Sequence, residues 1–381
     1  MMHRVSRPLW ISLALVAAAV LAACAPAPAA PWQCAGEGTT CRTGEGAFGT
    51  VLAARFSELK VPGVGFAVVE RGRLIEAGGF GVRSIRTGEP VTEATPFRVA
   101  SLTKPISAGL LLTAVEAGRV DLDTPLIEAS RGFRERCPEL KIAFEKRDIG
   151  LLRGIACDDP RVTLRAAATH TSRSPVGSRY RYNGYLFNQL TEAITGPDRN
   201  MVQVFRASVI QPLGLQNSAA GIRDGFARDV IEALAPPHRR GSGGAWQTRP
   251  RLKGPLGASA GLIASARDMA RIDTALVPGG LVSPGVWRRM TTNTVLTDGR
   301  RSPYGIGWFR QRIDGRDILW HYGLQNRAYS ALWIRDLAHR RSLILLANAE
   351  GLTGGYRLGA GDLTRAPAAR WFLAWSAQRG G

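Results

Sequence analysis

The chain has 381 residues, 45% hydrophobic and 21% charged, the balance of a folded globular protein and not of a disordered or fibrous one. Its formal net charge is +20, carried mostly by dispersed arginines with no run of five or more, so no nucleic-acid partner is expected. Attraction to anionic lipid headgroups or cell-wall polymers fits the same charge.

At the N-terminus, His3, Arg4 and Arg7 precede an apolar run from Leu9 to Ala23. This is the layout of a secretory signal, too short to span a bilayer comfortably. The run ends in Leu21-Ala22-Ala23-Cys24, which resembles the lipobox of bacterial lipoproteins. That resemblance implies a signal peptide over 1–23, cleavage before Cys24, and a diacylglycerol anchor on the Cys24 thiol. The alternative is an ordinary secretory cleavage site that happens to end in Cys. Residues 24–46 follow as the lipidated Cys and an Ala/Pro-rich tether, leaving 47–381 for the folded domain. The expected location is the cell envelope, with the chain lipid-anchored to the membrane on the periplasmic side. Four further cysteines, Cys34, Cys41, Cys137 and Cys157, allow three pairings, of which sequence proximity favours Cys34–Cys41 and Cys137–Cys157. None has zinc-type spacing, and neither metal nor cofactor is expected.

Downstream, Ala47 to Leu59 has helical spacing, and Val64 to Glu70 with Leu74 to Gly79 reads as a hairpin turning at Arg71-Gly72. Ile106 to Leu276 is mostly helical pattern broken by Gly/Pro loops. Strands are expected over Tyr304 to Arg312, Asp317 to His321, Tyr329 to Arg335 and Ser342 to Asn348, with Asp314-Gly315 as a hairpin turn. An amphipathic stretch from Leu363 to Gln378 closes the chain. Strands from both ends joining one antiparallel sheet, with the middle as a second lobe, make an α/β (α+β) fold with a cleft between the lobes.

Phe97 to Val120 reads FRVASLTKPISAGLLLTAVEAGRV. Ser101 stands where a helix could begin, and Pro105 falls near the first turn, where a missing N–H costs least. A Ser there feels the positive end of the helix dipole, which favours a developing alkoxide. Lys104, three residues on, shares its face. A buried Lys of depressed pKa, or an adjacent tyrosinate, could take the Ser proton. Two other serines fit nucleophile patterns. Ser57-Glu58-Leu59-Lys60 repeats S-x-x-K, but at a helix end and with no buried helix after it. Gly257-Ala258-Ser259-Ala260-Gly261 matches the G-x-S-x-G elbow of α/β-hydrolases, yet the Pro-containing segment before it cannot be a central strand. The Gly-rich segment reads better as a close backbone approach.

The run from Phe97 to Asp123 resembles the active-site helix of the β-lactamase-related serine hydrolases, which include class C β-lactamases, DD-peptidases and β-lactamase-fold esterases. Further landmarks follow in family order: Thr169-His170-Thr171-Ser172, Tyr180-Arg181-Tyr182-Asn183, Ala260-Gly261-Leu262 with Asp268, Tyr304-Gly305-Ile306-Gly307-Trp308, and His321-Tyr322-Gly323. The resemblance implies the β-lactamase/transpeptidase-like fold and an acyl-enzyme on Ser101. Lys104 and Tyr182 would share the proton traffic, with Tyr180 or Tyr185 as the alternative tyrosine. His321 would stand beside the Tyr hydroxyl, and the backbone N–H groups of Ser101 and Leu324 would form the oxyanion hole. Asn183, Tyr322 and Gly323 would contact the substrate, a small-molecule or peptide ester or amide.

The departures from the family pattern matter. Gly184 replaces the Asn expected two places after Tyr182, Tyr322 replaces a Thr or Ser, and no Gly follows Thr171-Ser172. These argue for hydrolysis of an ester or another amide over efficient penicillin hydrolysis. A non-catalytic lipoprotein that keeps the fold and binds cell-wall peptide or a partner is the competing reading, and an α/β-hydrolase using Ser259 a weaker one. His170 reads as structural, and His238 and His339 as surface residues.

Overall fold

The computed structural model describes residues 47–146 and 150–379. The signal segment, Cys24, the tether and the Cys34–Cys41 pair lie outside the described residues. Helix α1 (Phe48–Arg55) leads through a 3-10 turn into the hairpin of β1 (Gly63–Glu70) and β2 (Arg73–Gly81). Arg71 and Gly72 both take positive φ, the turn geometry that matches strand twist. Strand β3 (Phe97–Arg98) precedes a 3-10 turn, Ala100–Leu102, that runs into α2 (Thr103–Glu116).

The middle of the chain forms the helical lobe: α3 (Leu126–Ala129), α4 (Arg131–Lys146), α5 (Leu164–Ala168), α6 (Gly184–Asn188), α7 (Thr191–Thr195), α8 (Met201–Phe205) and α9 (Arg228–Glu232). A small hairpin, β4 (His238–Arg240) with β5 (Trp246–Thr248), interrupts the helical pattern. Strand β6 (Ile263–Ala264) pairs with β3, tying the lobe to the segment that carries Ser101. After α10 (Ala266–Ala275) and α11 (Pro284–Thr291) come β7 (Phe309–Ile313), β8 (Arg316–Gln325), β9 (Tyr329–Asp336), β10 (Arg341–Ala347) and the closing α12 (Pro367–Gln378).

The main sheet has strand order β2-β1-β10-β9-β8-β7, antiparallel throughout, so both chain ends build it as expected. Alternation along β1 sends Val64, Phe66 and Val68 into one core with Phe48, Phe372 and Trp375, and Ala67 and Val69 into the other with the residues of α2 and α10. The sheet is thus buried on both faces, which explains why β9 and β10 are near-continuous apolar runs.

Two local expectations change. Tyr304 to Trp308 is a tight turn and not strand, because Gly305 and Gly307 are pressed against backbone and side chains. A Cβ on Gly305 would lie 2.3 Å from Met290 O, and one on Gly307 (φ +91°) would lie 2.5 Å from Ala108 Cβ. Strand β8 runs past His321 to Gln325, although its β7 partner ends at the Phe309–Trp320 pair. On that side, residues 321–325 have no strand partner among the described residues. Cys137 and Cys157 form the expected disulfide, stapling the insertion between α4 and the turns after it.

Candidate active site

Ser101 lies in the 3-10 turn just before α2, one residue after Ala100, whose φ of +48° is unusual for a residue with a side chain. β8 presses against this turn. A Cβ on Gly323 would stand 2.4 Å from Val99 O and 3.2 Å from Ala100 Cβ, so only glycine lets strand and nucleophile turn approach this closely. Leu324, the expected oxyanion donor, is the next residue on the same strand and lies opposite Ser330 of β9.

Lys104 is fully buried on the first turn of α2. Its Nζ donates to Ser101 Oγ at 2.9 Å and to the main-chain carbonyl of Ser259 at 2.9 Å. Among the described residues no carboxylate pairs with it, and burial lowers its pKa from 10.5 to about 7. A lysine so placed is substantially neutral at physiological pH and can accept the Ser101 proton. The Nζ also sits 5.2 Å from the centre of the Tyr182 ring and 5.4 Å from that of Phe187. A Cβ on Gly184 would stand 3.8 Å from Nζ, an ordinary contact distance.

The Tyr182 hydroxyl is buried. It lies near enough to Ser101 for that hydroxyl to favour its ionised form, yet makes no hydrogen bond of ordinary geometry. Burial, reinforced by Tyr322 and Tyr304, holds its pKa well above 10. Tyr182 is therefore held as a neutral phenol. Tyr180 turns away, its hydroxyl donating to Gly359 O at 3.1 Å, and Tyr185 lines a separate cleft beside α4.

His321 is buried on β8 and does not bond Tyr182; their ring centres are 6.0 Å apart. Its Nδ1 lies 2.7 Å from Tyr322 O, and a carbonyl can only accept, so Nδ1 carries the proton. Nε2 then accepts from the Tyr304 hydroxyl at 3.1 Å. Burial and the neighbouring Lys104 drive the His321 pKa well below 6.5, so the ring is neutral. His170, at φ +59°, is likewise buried and neutral. Its Nδ1 accepts the Asn183 N–H at 3.2 Å, and its ring packs 4.5 Å from that of Tyr182.

Asn183 takes a role other than the one the motif implies. Its Oδ1 caps α6 by accepting the Leu186 N–H, and its Nδ2 donates to Leu151 O, so both ends of the amide are held by backbone. Tyr322 is partly buried beside Tyr182, with ring centres 5.4 Å apart, and its hydroxyl lies 2.8 Å from where a Gly359 Cβ would stand.

Ser259 enters the site by its carbonyl alone. Its Oγ donates to Asn188 Oδ1 at 3.1 Å, and no strand precedes it, so the hydrolase elbow is not formed. Ser57 and Lys60 are both exposed, Lys60 as a left-handed helix cap. His238 is fully buried and not a surface residue, its Nε2 3.4 Å from the Ile85 N–H. His339 is part-buried against Asp336. Among the described residues no cluster of His, Cys, Asp and Glu could hold a metal, and no helix is long and apolar enough to cross a membrane.

The functional atom that motif reading did not assign is the Ser259 carbonyl. The signal for it was the glycine-rich stretch itself: a Cβ on Gly261 (φ +122°) would stand 2.6 Å from Leu256 Cα, and one on Gly257 2.3 Å from Asn188 Oδ1.

This arrangement can be set beside known proteins. A D-aminopeptidase of Gluconobacter oxydans is 24% identical over 320 residues, covering 78% of this chain and 57% of that protein. One of Brucella anthropi is 26% identical over 314 residues, covering 77% and 57%. The chain thus spans less than two thirds of the length of these relatives. Solved structures of the same fold include the penicillin-binding protein homologue from Pyrococcus abyssi, with TM-score 0.66, 18% identity and coverage of 87% of this chain and 76% of that one. The class C beta lactamase from Rhodobacter sphaeroides has TM-score 0.61 at 17% identity, covering 86% and 97%. The D-amino acid amidase from Ochrobactrum anthropi SV3 complexed with D-phenylalanine has TM-score 0.62 at 17% identity, covering 87% and 98%. The Beta-lactamase family model matches residues 48–363, which span the nucleophile turn, the helical lobe and all six strands of the main sheet, and the chain belongs to that family of serine hydrolases.

Proposed function

We propose that the protein hydrolyses an amide or ester through an acyl-enzyme on Ser101. The observation that carries this reading is the buried Lys104 Nζ, 2.9 Å from Ser101 Oγ, with a pKa lowered to about 7. In the proposed reaction neutral Lys104 accepts the Ser101 proton as Oγ bonds to the substrate carbonyl carbon. The resulting oxyanion faces the backbone N–H groups of Ser101 and Leu324. Tyr182, held neutral, gives its proton to the leaving amine or alkoxide as the scissile bond breaks, and regains one from Lys104, which took it from Ser101. Water then attacks the acyl carbon, losing its proton to the same groups, and Ser101 leaves reprotonated.

Neutral His321 supplies no positive charge beside Ser101, and the phenol of Tyr322 takes the place of the Thr or Ser hydroxyl that the family pattern has there. Both features favour an esterase or peptidase over an efficient β-lactamase. The relatives named D-aminopeptidase and D-amino acid amidase support amide substrates. The N-terminal sequence supports export and anchoring at Cys24, and with them a substrate in the cell envelope.

A fluorophosphonate probe followed by intact-mass measurement tests the reading. One adduct is expected on the wild-type protein and on Ser259→Ala, and none on Ser101→Ala. An adduct that survives Ser101→Ala, or none on folded wild type, rules the proposal out.

A further inference from the structure

The phenol of Tyr182 is not fixed at its own hydroxyl end, which makes no hydrogen bond of ordinary geometry among the described residues. Its place is therefore set from the main chain and from ring packing, and both lead to His170. The backbone of His170 takes φ +59°, a left-handed conformation that is costly for a residue with a side chain and that His and Asn bear better than most. This turn aims two acceptors of one residue at one segment. His170 O accepts the Arg181 N–H at 2.8 Å, and His170 Nδ1 accepts the Asn183 N–H at 3.2 Å. The residues on either side of Tyr182 are thus both held, by their main-chain N–H groups, to His170.

The imidazole has no second task among the described residues. With Nδ1 as acceptor, the proton of the neutral ring lies on Nε2, and no described residue accepts from it. The ring is buried, with its centre 4.5 Å from that of Tyr182, 4.7 Å from Tyr304 and 5.6 Å from Phe187. Tyr304 is the phenol that bonds His321, and Phe187 lies 5.4 Å from Lys104 Nζ. The ring that packs on Tyr182 is thus packed in turn on the groups that hold the rest of the site. Two further tethers of this segment, Tyr180 hydroxyl to Gly359 O and Asn183 Nδ2 to Leu151 O, run through side chains.

We propose that His170 is the positioning residue of Tyr182: through its carbonyl, its Nδ1 and its ring it holds the phenol where the leaving group takes up a proton. This rests on the acyl-enzyme reading above and adds a residue to it. A displacement of about 1 Å at a group that transfers a proton costs on the order of 10²-fold in rate, so a clamp on the main chain of Tyr182 has a kinetic consequence. No hydrogen bond among the described residues joins His170 to Ser101 or Lys104, so its loss should be felt through Tyr182 alone.

The experiment uses the full chain with the 4-nitroanilide and the 4-nitrophenyl ester of butyrate and of D-phenylalanine, the ethyl ester replacing the nitroanilide where only esters turn over. Nitroaniline and ethanol need a proton to leave, and nitrophenolate does not. His170→Gly keeps the carbonyl and accepts the left-handed backbone without strain, while removing Nδ1 and the ring. It should lower kcat on the proton-requiring substrate by about 10²-fold and on the nitrophenyl ester by about threefold or less, with KM nearly unchanged. His170→Asn, which offers an oxygen in the place of Nδ1 and tolerates the same φ, should recover about tenfold of that loss. In a Tyr182→Phe background His170→Gly should cost less than about threefold more, because the two residues act as one unit. Equal losses on both substrates, full activity of His170→Gly, no recovery in His170→Asn, or losses that multiply in the Tyr182→Phe background would each overturn the role. If His170→Gly fails to fold, His170→Phe keeps a ring, removes the acceptor and gives the same readout. Fluorophosphonate labelling keeps the two proposals apart. A labelled, active wild type whose His170 variants show no selective loss refutes the clamp and leaves the hydrolase standing, whereas folded wild type that neither labels nor turns over refutes the hydrolase itself.

Discussion

Replacing Lys104 by Met should stabilise the protein, and do so most at low pH. The folded-state pKa of about 7 lies below the unfolded value of 10.5. Between those values the unfolded chain binds a proton that the folded chain does not, so the stability of wild type rises with pH through that window and is flat below it. At pH 6 both states are protonated, and the folded state carries nearly the whole penalty, about 5 kcal/mol for a shift of this size. By pH 9 the folded lysine is neutral and the penalty falls to about 2 kcal/mol, set by the unfolded chain still holding its proton. Met has similar bulk and no charge, but it strands the buried Ser259 carbonyl at a cost of about 1–3 kcal/mol that does not vary with pH. Urea unfolding of Lys104→Met and wild type from pH 6 to pH 9 measures the difference directly. The gap in favour of Met should narrow by about 2–3 kcal/mol across that range. Parallel stability curves would show that Lys104 is ordinary in the folded state, and would remove it as the base.

Other expectations follow from single contacts. Tyr182→Phe should slow an amide substrate by about 10²-fold or more and a nitrophenyl ester much less, because nitrophenolate leaves without a proton; equal losses in kcat would end the acid role of Tyr182. Gly323→Ala must push β8 away from Val99 O, costing about 1–3 kcal/mol in urea unfolding and lowering kcat with it. For the double change Cys137→Ser/Cys157→Ser, which opens a loop of 20 residues, the expected loss is about 3 kcal/mol, read by urea unfolding under non-reducing conditions. In wild type, kcat/KM for an ester should rise with pH through an inflection near 7 as Lys104 loses its proton, and a profile flat from pH 5.5 to 8.5 would contradict the assignment.

Much of this architecture is legible in the residues because local rules coincide with the global answer. Ser101 and Lys104 are three apart at a helix start, which by itself brings the side chains together. Asp314 and Gly315 both accept positive φ, and so fix the β7–β8 hairpin. Cys137 and Cys157 are near in sequence and bond. What escapes is set by contacts between distant segments. His321 is found by its motif, but its partner Tyr304 comes from a turn held by packing against Met290 and Ala108, so the motif alone points to the wrong phenol. Asn183 looks like a substrate ligand until α6 begins just after it and claims its oxygen. The acceptor on Lys104 is a main-chain carbonyl, which any residue could provide, and only the glycines around Ser259 betray it. His238 shows the same limit: its neighbours Pro236, Pro237, Arg239 and Arg240 read as surface, while the hairpin that follows folds it inward.

β8 runs past its partner β7 by the five residues from His321 to Gln325, alongside the turn that carries Ser101. An extended substrate can therefore act as a temporary seventh strand, gripped by main-chain hydrogen bonds that are indifferent to its side chains. Such a grip is sensitive to handedness. A strand sends successive side chains to opposite faces, so inverting one stereocentre next to the scissile bond moves its substituent between the two sides of the cleft without disturbing the main-chain bonds. That edge, without a strand partner among the described residues, would then act as a chiral ruler, and which enantiomer it admits would be decided by what lines each side of it.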